Sequence, residues 1–372
     1  MALLGYIIVA LLMVQLIIAY MNILAGPQLS QGSAVLEPVR VSVLIPARNE
    51  AENIGRCLEG LLRQDYAPME ILVLDDHSED HTAAIVARYA ASHPNLRWFR
   101  GRDVPPGWTG KNWACHQLSE LTMGDLMIFT DADNWHAPEA VRRTVGWMQQ
   151  RELGLFSAFP QQVTRTLPEQ LLVPMIDVLL YSILPLRAVS AFPAPSLSAA
   201  NGQWLAWTAA AYRSLGGHRT VRHEVVEDVE LARQAKQAGI RMVTAAGTGV
   251  VFARMYRSVR DIREGLAKVL FGLAGYHGSI FWAAQAVTFS LGMMPYILVW
   301  IPAFTAPAGL AIVLNGLVRG GLALRYRHPV VLSLFLHPVA VLLMLLLGVD
   351  SYRWTKKGVV RWKGREIVLS SH

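Results

Sequence analysis

Between residues 38 and 130 the chain alternates short apolar, β-branched runs with segments whose apolar residues recur every three or four positions. Val39 to Pro46 is an apolar run that ends in the polar turn Pro-Ala-Arg-Asn-Glu. Glu52 to Arg63 follows with Ile54, Cys57, Leu58, Leu61 and Leu62 at helical spacing. Glu70 to Leu74 predicts a second strand, ending in Asp75-Asp76-His77-Ser78, and Asp80 to Ala91 a second helix. Leu96 to Phe99, the helix Asn112 to Leu121 and the strand Leu126 to Thr130 continue the series. Strand and helix in this alternation predict a doubly wound α/β sheet, with the polar elements at the carboxyl ends of strands. Successive ends carry Arg48 with Glu50, then Asp76, then Asp131 with Asp133. In open α/β sheets ligands bind in the crevice beyond those ends, so these groups are expected to converge.

Outside this region the pattern changes. Met1 to Ala25 carries no charge, Ile280 to Val318 is 39 residues without one, and Val330 to Val349 is apolar apart from His337. Uncharged runs of about 18 residues or more predict membrane spans, one at the amino end and two or three at the carboxyl end. The first lacks the basic leader and small-residue cleavage site of a signal peptide, so an uncleaved anchor is expected. No Lys or Arg precedes it while Arg40, Arg48 and Arg56 follow, which predicts a multi-pass protein of the cell (inner) membrane whose soluble domain faces the cytoplasm. Basic residues flank the last apolar run on both sides; either Pro338 breaks it into a re-entrant pair or the tail lies outside. The expected division is an anchor at 1–25, an α/β domain at 38–250 and a membrane-apposed helical region at 251–279. Two to three spanning or re-entrant helices at 280–350 and a basic tail at 351–372 complete it. Leu171 to Ser190 is apolar but interrupted by Pro174, Asp177 and Pro185, which predicts a helix seated in the headgroup layer.

Composition supports this division, since 53% of the 372 residues are apolar and only 16% charged. The net charge of +7 would suit nucleic acid, but the arginines are scattered and gather beside the apolar runs. That distribution suits an anionic membrane surface, and no nucleic-acid partner is expected. Cys57 and Cys115 have no C-x-x-C spacing, and His77 with His81 lacks a third ligand, so neither a disulfide framework nor a zinc site is expected. The first turn, PARNE, contains no glycine, which excludes the dinucleotide fingerprint. Gly107-Trp108-Thr109-Gly110-Lys111 fails as a P-loop, with Pro105 in place of the leading glycine and Asn112 in place of Ser or Thr. Phosphates must then be met by side chains and a cation. Asp131 and Asp133, one residue apart at a strand end, suit hard Mg²⁺ or Mn²⁺ sharing its shell with a diphosphate.

Four segments in order, Val41 to Glu50, Val73 to Ser78, Phe129 to Asp133 and Val226 to Leu231, resemble the family 2 inverting glycosyltransferases of the GT-A fold. The resemblance spans about 38 to 270. Pro105 to Cys115 and the flanking apolar runs resemble the membrane-bound members that glycosylate lipids, the carotenoid glycosyltransferases among them. The resemblance implies that Pro46, Ala47, Arg48 and Glu50 line the nucleoside and that Asp76 accepts a hydrogen bond from N3 of uracil. It further implies that Asp131 lies near the sugar and ribose, that Asp133 with Asp131 ligates the metal, and that Lys111 faces the sugar nucleotide. Asp75 points away from Asp76, as adjacent strand residues do. Inverting transfer needs a base for the acceptor proton. Asp228, supported by Glu227, takes that role at a helix start where the dipole favours an ionised carboxylate. Asn201 to Trp204 resembles the strand that closes the sugar pocket.

The implied activity is transfer of a single sugar, expected to be glucose from UDP-glucose, to a hydroxyl or carboxyl group of a hydrophobic lipid acceptor such as a carotenoid. The alternative acceptor is polyprenyl phosphate or a glycerolipid, hopanoid or sphingolipid. Tyr256 to Gly265 lacks the Arg-Trp pair of processive members, which argues against a polymer synthase. Its Arg257, Arg260 and Arg263 face either a diphosphate or lipid phosphates.

Overall fold

The computed structural model describes residues 2–362 and 365–368, and the chain divides into two compact units. Met1 of the expected anchor and residues 363–364 and 369–372 of the expected tail lie outside the described residues. One unit is Pro27–Val163 with Leu186–Met255. The other is Met1–Gly26, Thr164–Pro185 and Tyr256–His372.

The first unit holds the strands β1 (Val41–Ala47), β2 (Met69–Asp75), β3 (Leu96–Arg100), β4 (Leu126–Phe129), β5 (Asn134–His136), β6 (Leu155–Phe159), β7 (Gln161–Gln162), β8 (Leu205–Thr208), β9 (Met242–Ala246) and β10 (Val251–Ala253). A seven-stranded sheet runs in the order β3-β2-β1-β4-β8-β6-β9. Its β3, β2, β1 and β4 are parallel to one another, whereas β8 is antiparallel to both β4 and β6. Nearly every residue of β1, β4 and β9 is buried. Strands covered on both faces are uninterrupted apolar runs, which is why β1 and β4 are visible in the sequence, whereas β9 is not among the expected strands. The predicted helices form at Ile54–Leu62, Thr82–Ser92 and Gly110–Leu121.

This topology decides what meets at the sheet edge. Parallel β1, β2 and β4 end at Ala47, Asp75 and Phe129, so Arg48, Asp76 and Asp131 emerge from the same side. Antiparallel β8 places Leu205 opposite Phe129, so the segment before it, Asn201 to Trp204, arrives at that same edge. A small second sheet, β5-β10-β7, takes the strand system past residue 250: Val251–Ala253, expected beside the membrane, pair instead with β5 and β7.

In the second unit, and among the described residues, Leu3–Ala25, Thr305–Tyr326 and His337–Lys356 are long and apolar enough to cross a membrane by length and composition. The first and second of these pack closely: a Cβ on Gly5 would stand 2.7 Å from Pro307 Cγ. The uncharged stretch from 280 to 318 is not one helix; Gly278–Gly292 stops and Met294–Leu298 restarts with Pro295 in its first turn. The run from 330 to 349 breaks at Leu336, just ahead of Pro338, into Val330–Phe335 and His337–Lys356. Leu171 to Ser190 also departs from expectation, splitting into Leu167–Tyr181 and Leu186–Ala191, which fall in different units. The first of these buries Leu171, Val173 and Met175 inside its own unit. Its Asp177, one of the interruptions of the apolar run, is buried against His328 at 2.7 Å, and this partner is what permits the burial. Arg260 and Arg263, on the helix Val259–Val269, pair with Glu264 and Asp350.

Candidate active site

Two helix starts face each other across the sheet edge. Thr109 caps the helix Gly110–Leu121 by accepting from the Asn112 N–H, and the first turn carries Lys111. The helix Glu227–Gln237 opens with Glu227 and Asp228. Lys111 Nζ lies 3.1 Å from Asp131 Oδ1 and 3.0 Å from Glu227 Oε1. The Gly202 N–H donates to Asp228 Oδ2 at 2.7 Å, and the Val229 N–H donates to Oδ1 at 2.8 Å. A Cβ added to Gly202 would stand 3.1 Å from Lys111 Nζ, 3.4 Å from Glu227 Oε1 and 3.6 Å from Asp228 Oδ2. Three charged groups therefore meet around one glycine. The pocket there, about 240 Å³ including its open mouth, is also lined by Pro46, Phe129, Leu205 and His218.

The charges perturb one another in a definite sense. Burial raises the Asp228 carboxyl to about 6, and the Glu227 carboxylate pushes the same way against the opposing pull of Lys111. Burial alone would lower the Lys111 ammonium, but Asp131 and Glu227 outweigh it and hold that group well above its ordinary value. On the far side of Asp131, burial raises the Cys57 thiol, and Asp133, Glu50 and Asp131 raise it further. One group of carboxylates thus acts on Lys111 and another on Cys57, with Asp131 common to both.

The turn after β1 is tied to the turn after β2. Arg48 donates to the carbonyls of Asp76 and His77 at 2.7 and 2.8 Å and pairs with Glu79, and the Asp76 N–H donates to the Ala47 carbonyl. Glu50 accepts from the Asn53 side chain at 2.7 Å, and its N–H donates to Thr82 Oγ1. Asp75 accepts from the Ser78 N–H at 3.3 Å. His77 sits in the turn with φ 54° and His81 is the N-cap of Thr82–Ser92, so the two do not share a helix face.

Residues 42–171 match the sequence profile described as Glycosyl transferase family 2. That stretch is a family 2 glycosyltransferase domain. The chain is 27% identical over 360 residues to the 4,4'-diaponeurosporenoate glycosyltransferase of Staphylococcus haemolyticus strain JCSC1435, covering 88% of each protein. Identity to the enzyme of the same name from Staphylococcus aureus strain MRSA252 is 24% over 350 residues, covering 89% of this chain and 88% of that one. Among solved structures, the fold is similar to that of a Pyrobaculum calidifontis mannosyltransferase in complex with GDP-Man and Mn²⁺. The TM-score is 0.56 at 21% identity, covering 95% of this chain and 99% of the other. The mixed sheet is accordingly of the GT-A type.

Among the described residues, no group of three or more His, Cys, Asp or Glu side chains is set to enclose a metal ion. The donors present are the two carboxylates at the end of β4, Asp131 and Asp133. That set fits a hard cation held by one or two carboxylates and completed by phosphate oxygens, and it does not fit a closed structural site. The family match covers Arg48, Asp76, Lys111, Asp131 and Asp133 but ends before Gly202, His218, Glu227 and Asp228. Of the segment Asn201 to Trp204, Trp204 is a core residue whose Nε1 donates to Thr144 Oγ1, and Gly202 is the one beside the carboxylates. His218 has no sequence signal of its own, and only the fold brings it to the pocket wall.

Proposed function

We propose that the enzyme transfers one sugar, with inversion, from a nucleoside diphosphate sugar to a hydroxyl or carboxyl group of a hydrophobic acceptor of the carotenoid class. UDP-glucose is the expected donor. The observation that carries this reading is the gathering of Lys111, Asp131, Glu227 and Asp228 around Gly202 at the carboxyl edge of the sheet. Asp228 takes the acceptor's proton while the acceptor oxygen bonds to the anomeric carbon and the bond from that carbon to the diphosphate breaks. Lys111 holds Asp131 and Glu227 in place and keeps Asp228 ionised by its positive charge. Pro46 and Asp76, at the ends of β1 and β2, flank the nucleoside side of the cleft. Asp133, with Asp131, holds Mg²⁺ or Mn²⁺, which when bound offsets the negative charge of the leaving diphosphate. Because Lys111 already neutralises Asp131, Asp133 is the principal ligand.

The carotenoid class is supported by the names of the relatives that match over most of this chain. Three apolar helices support a membrane setting in which such an acceptor dissolves, with the catalytic unit on the cytoplasmic face. The test is to incubate membranes containing the protein with labelled sugar nucleotides and a carotenoid carrying a hydroxyl or carboxyl group, and to identify the labelled lipid by mass. A labelled carotenoid glycoside is expected. Label appearing only in polyprenyl phosphate or glycerolipid would replace the acceptor assignment.

A further inference from the structure

His218 belongs to none of the four sequence segments, yet its ring stands in the wall of the pocket beside Phe129, with centroids 4.9 Å apart. The residue is only 2% exposed. Tyr212 OH lies 2.7 Å from Nδ1 and also accepts the His218 backbone N–H at 3.1 Å, so one phenol holds both the backbone and the ring. This occupies Nδ1 and leaves Nε2 as the ring's remaining hydrogen-bonding atom. Burial, with Lys111 and His116 nearby, lowers the imidazole to about 3, so it is neutral wherever the enzyme works. A neutral imidazole fixed through one nitrogen presents the other as a directed partner for an uncharged hydroxyl. The pocket's apolar sides are Phe129, Leu205 and Pro46, and among its polar lining Lys111, Asp131 and Glu227 are engaged with one another, which leaves His218 as a neutral ring set apart from that ion-pair cluster.

We propose that His218 is a donor-sugar contact whose Nε2 hydrogen-bonds a hydroxyl of the transferred sugar, and that Tyr212 is the residue that positions it. The proposal rests on the glycosyl-transfer reading of the pocket. Glutamine at 218 retains a nitrogen near the Nε2 position, asparagine retains one only near Nδ1, and phenylalanine retains neither. The test measures kcat/KM for UDP-glucose and for the analogues that each lack one sugar hydroxyl, in wild type, His218→Gln, His218→Asn and His218→Phe. UDP affinity and thermal melting are measured alongside.

The expected result is a loss of roughly ten- to hundred-fold in kcat/KM for the Asn and Phe variants, because a buried hydrogen-bonding group of the sugar is left without its partner. The Gln variant stays within about five-fold, on the scale of a single weakened hydrogen bond. UDP, which lacks the transferred sugar, binds all four proteins alike. One deoxy analogue is poor for wild type and no poorer than UDP-glucose for the Phe variant. The proposal is overturned if Asn and Phe retain wild-type kcat/KM, if UDP affinity falls in step with activity, or if no deoxy analogue closes the gap. A melting temperature lowered only in the Phe variant leaves the Gln and Asn pair to decide. Absence of transfer by wild type from any sugar nucleotide would instead overturn the functional reading.

Discussion

Gly202 and Asp228 are joined by a 2.7 Å hydrogen bond in which the backbone N–H of the first donates to Oδ2 of the second. The bond ties the segment leading into β8 to the start of the helix Glu227–Gln237. A side chain at 202 would intrude among Lys111, Glu227 and Asp228, all within 3.6 Å of its Cβ. Gly202→Val is therefore expected to lower kcat/KM by at least tenfold with little change in melting temperature. Gly202→Ala is expected to do so less, because the nearest atom is the flexible end of a lysine. Near wild-type kinetics in the valine variant would show that the pocket lies elsewhere.

The pH profile tests the base. Asp228 is raised to about 6 by burial and by Glu227, and its ionised form is the one that accepts the acceptor's proton. Transfer is thus expected to rise with pH through about 6 and, well below that, to fall about tenfold per pH unit. Asp228→Asn should retain nucleotide affinity by calorimetry and lose about 10²- to 10⁴-fold in kcat. A near wild-type rate would remove Asp228 from the role.

Lys111 acts on the same group with the opposite sign, lowering the Asp228 pKa while Glu227 raises it. Lys111→Met removes the charge but keeps the length of the chain. The acid limb of the residual activity should then move to higher pH, together with a fall in kcat. An unmoved limb would mean that Lys111 does not govern the ionisation of Asp228.

How much of this was legible beforehand depended on the range of each interaction. β1 and β4 were visible as apolar runs because both their faces are covered, and the polar residues where they stop marked the edge of the cleft. The contact of Lys111 with Glu227 joins residues that only the fold brings together, so the sequence pointed Lys111 at the substrate and missed its carboxylate partners. The burial of Asp177 was not legible for a similar reason, since His328, which permits it, is 151 positions away. A lone histidine such as His218 carries no periodicity or spacing at all.

Removal of divalent metal tests Asp133. Treatment with EDTA is expected to abolish transfer, and added Mn²⁺ or Mg²⁺ to restore it, because among the described residues lining the pocket the cation Lys111 is already paired with Asp131 and Glu227. Asp133→Asn should raise the metal concentration needed for half-maximal activity by at least tenfold. Full activity in EDTA would show that the carboxylates at the end of β4 serve another purpose.

The neighbour of Lys111 holds the catalytic segment from a second side. Asn112 is fully buried, and its side-chain amide donates to the carbonyls of Val221 at 2.8 Å and Glu224 at 2.9 Å, while the Thr109 N–H donates to the Arg222 carbonyl at 2.8 Å. These bonds fix the backbone that leads into Glu227 and Asp228. Asn112→Asp keeps the volume but replaces the donor by an acceptor facing two carbonyls, so the segment should be released. The expected outcome is a fall of at least tenfold in kcat with donor KM changed much less, since the groups that flank the nucleoside are on other elements. In an Asp228→Asn background the same substitution should cost little more, because residues acting through one group are not additive. Equal losses in both backgrounds would make Asn112 a purely structural residue, unconnected with the base.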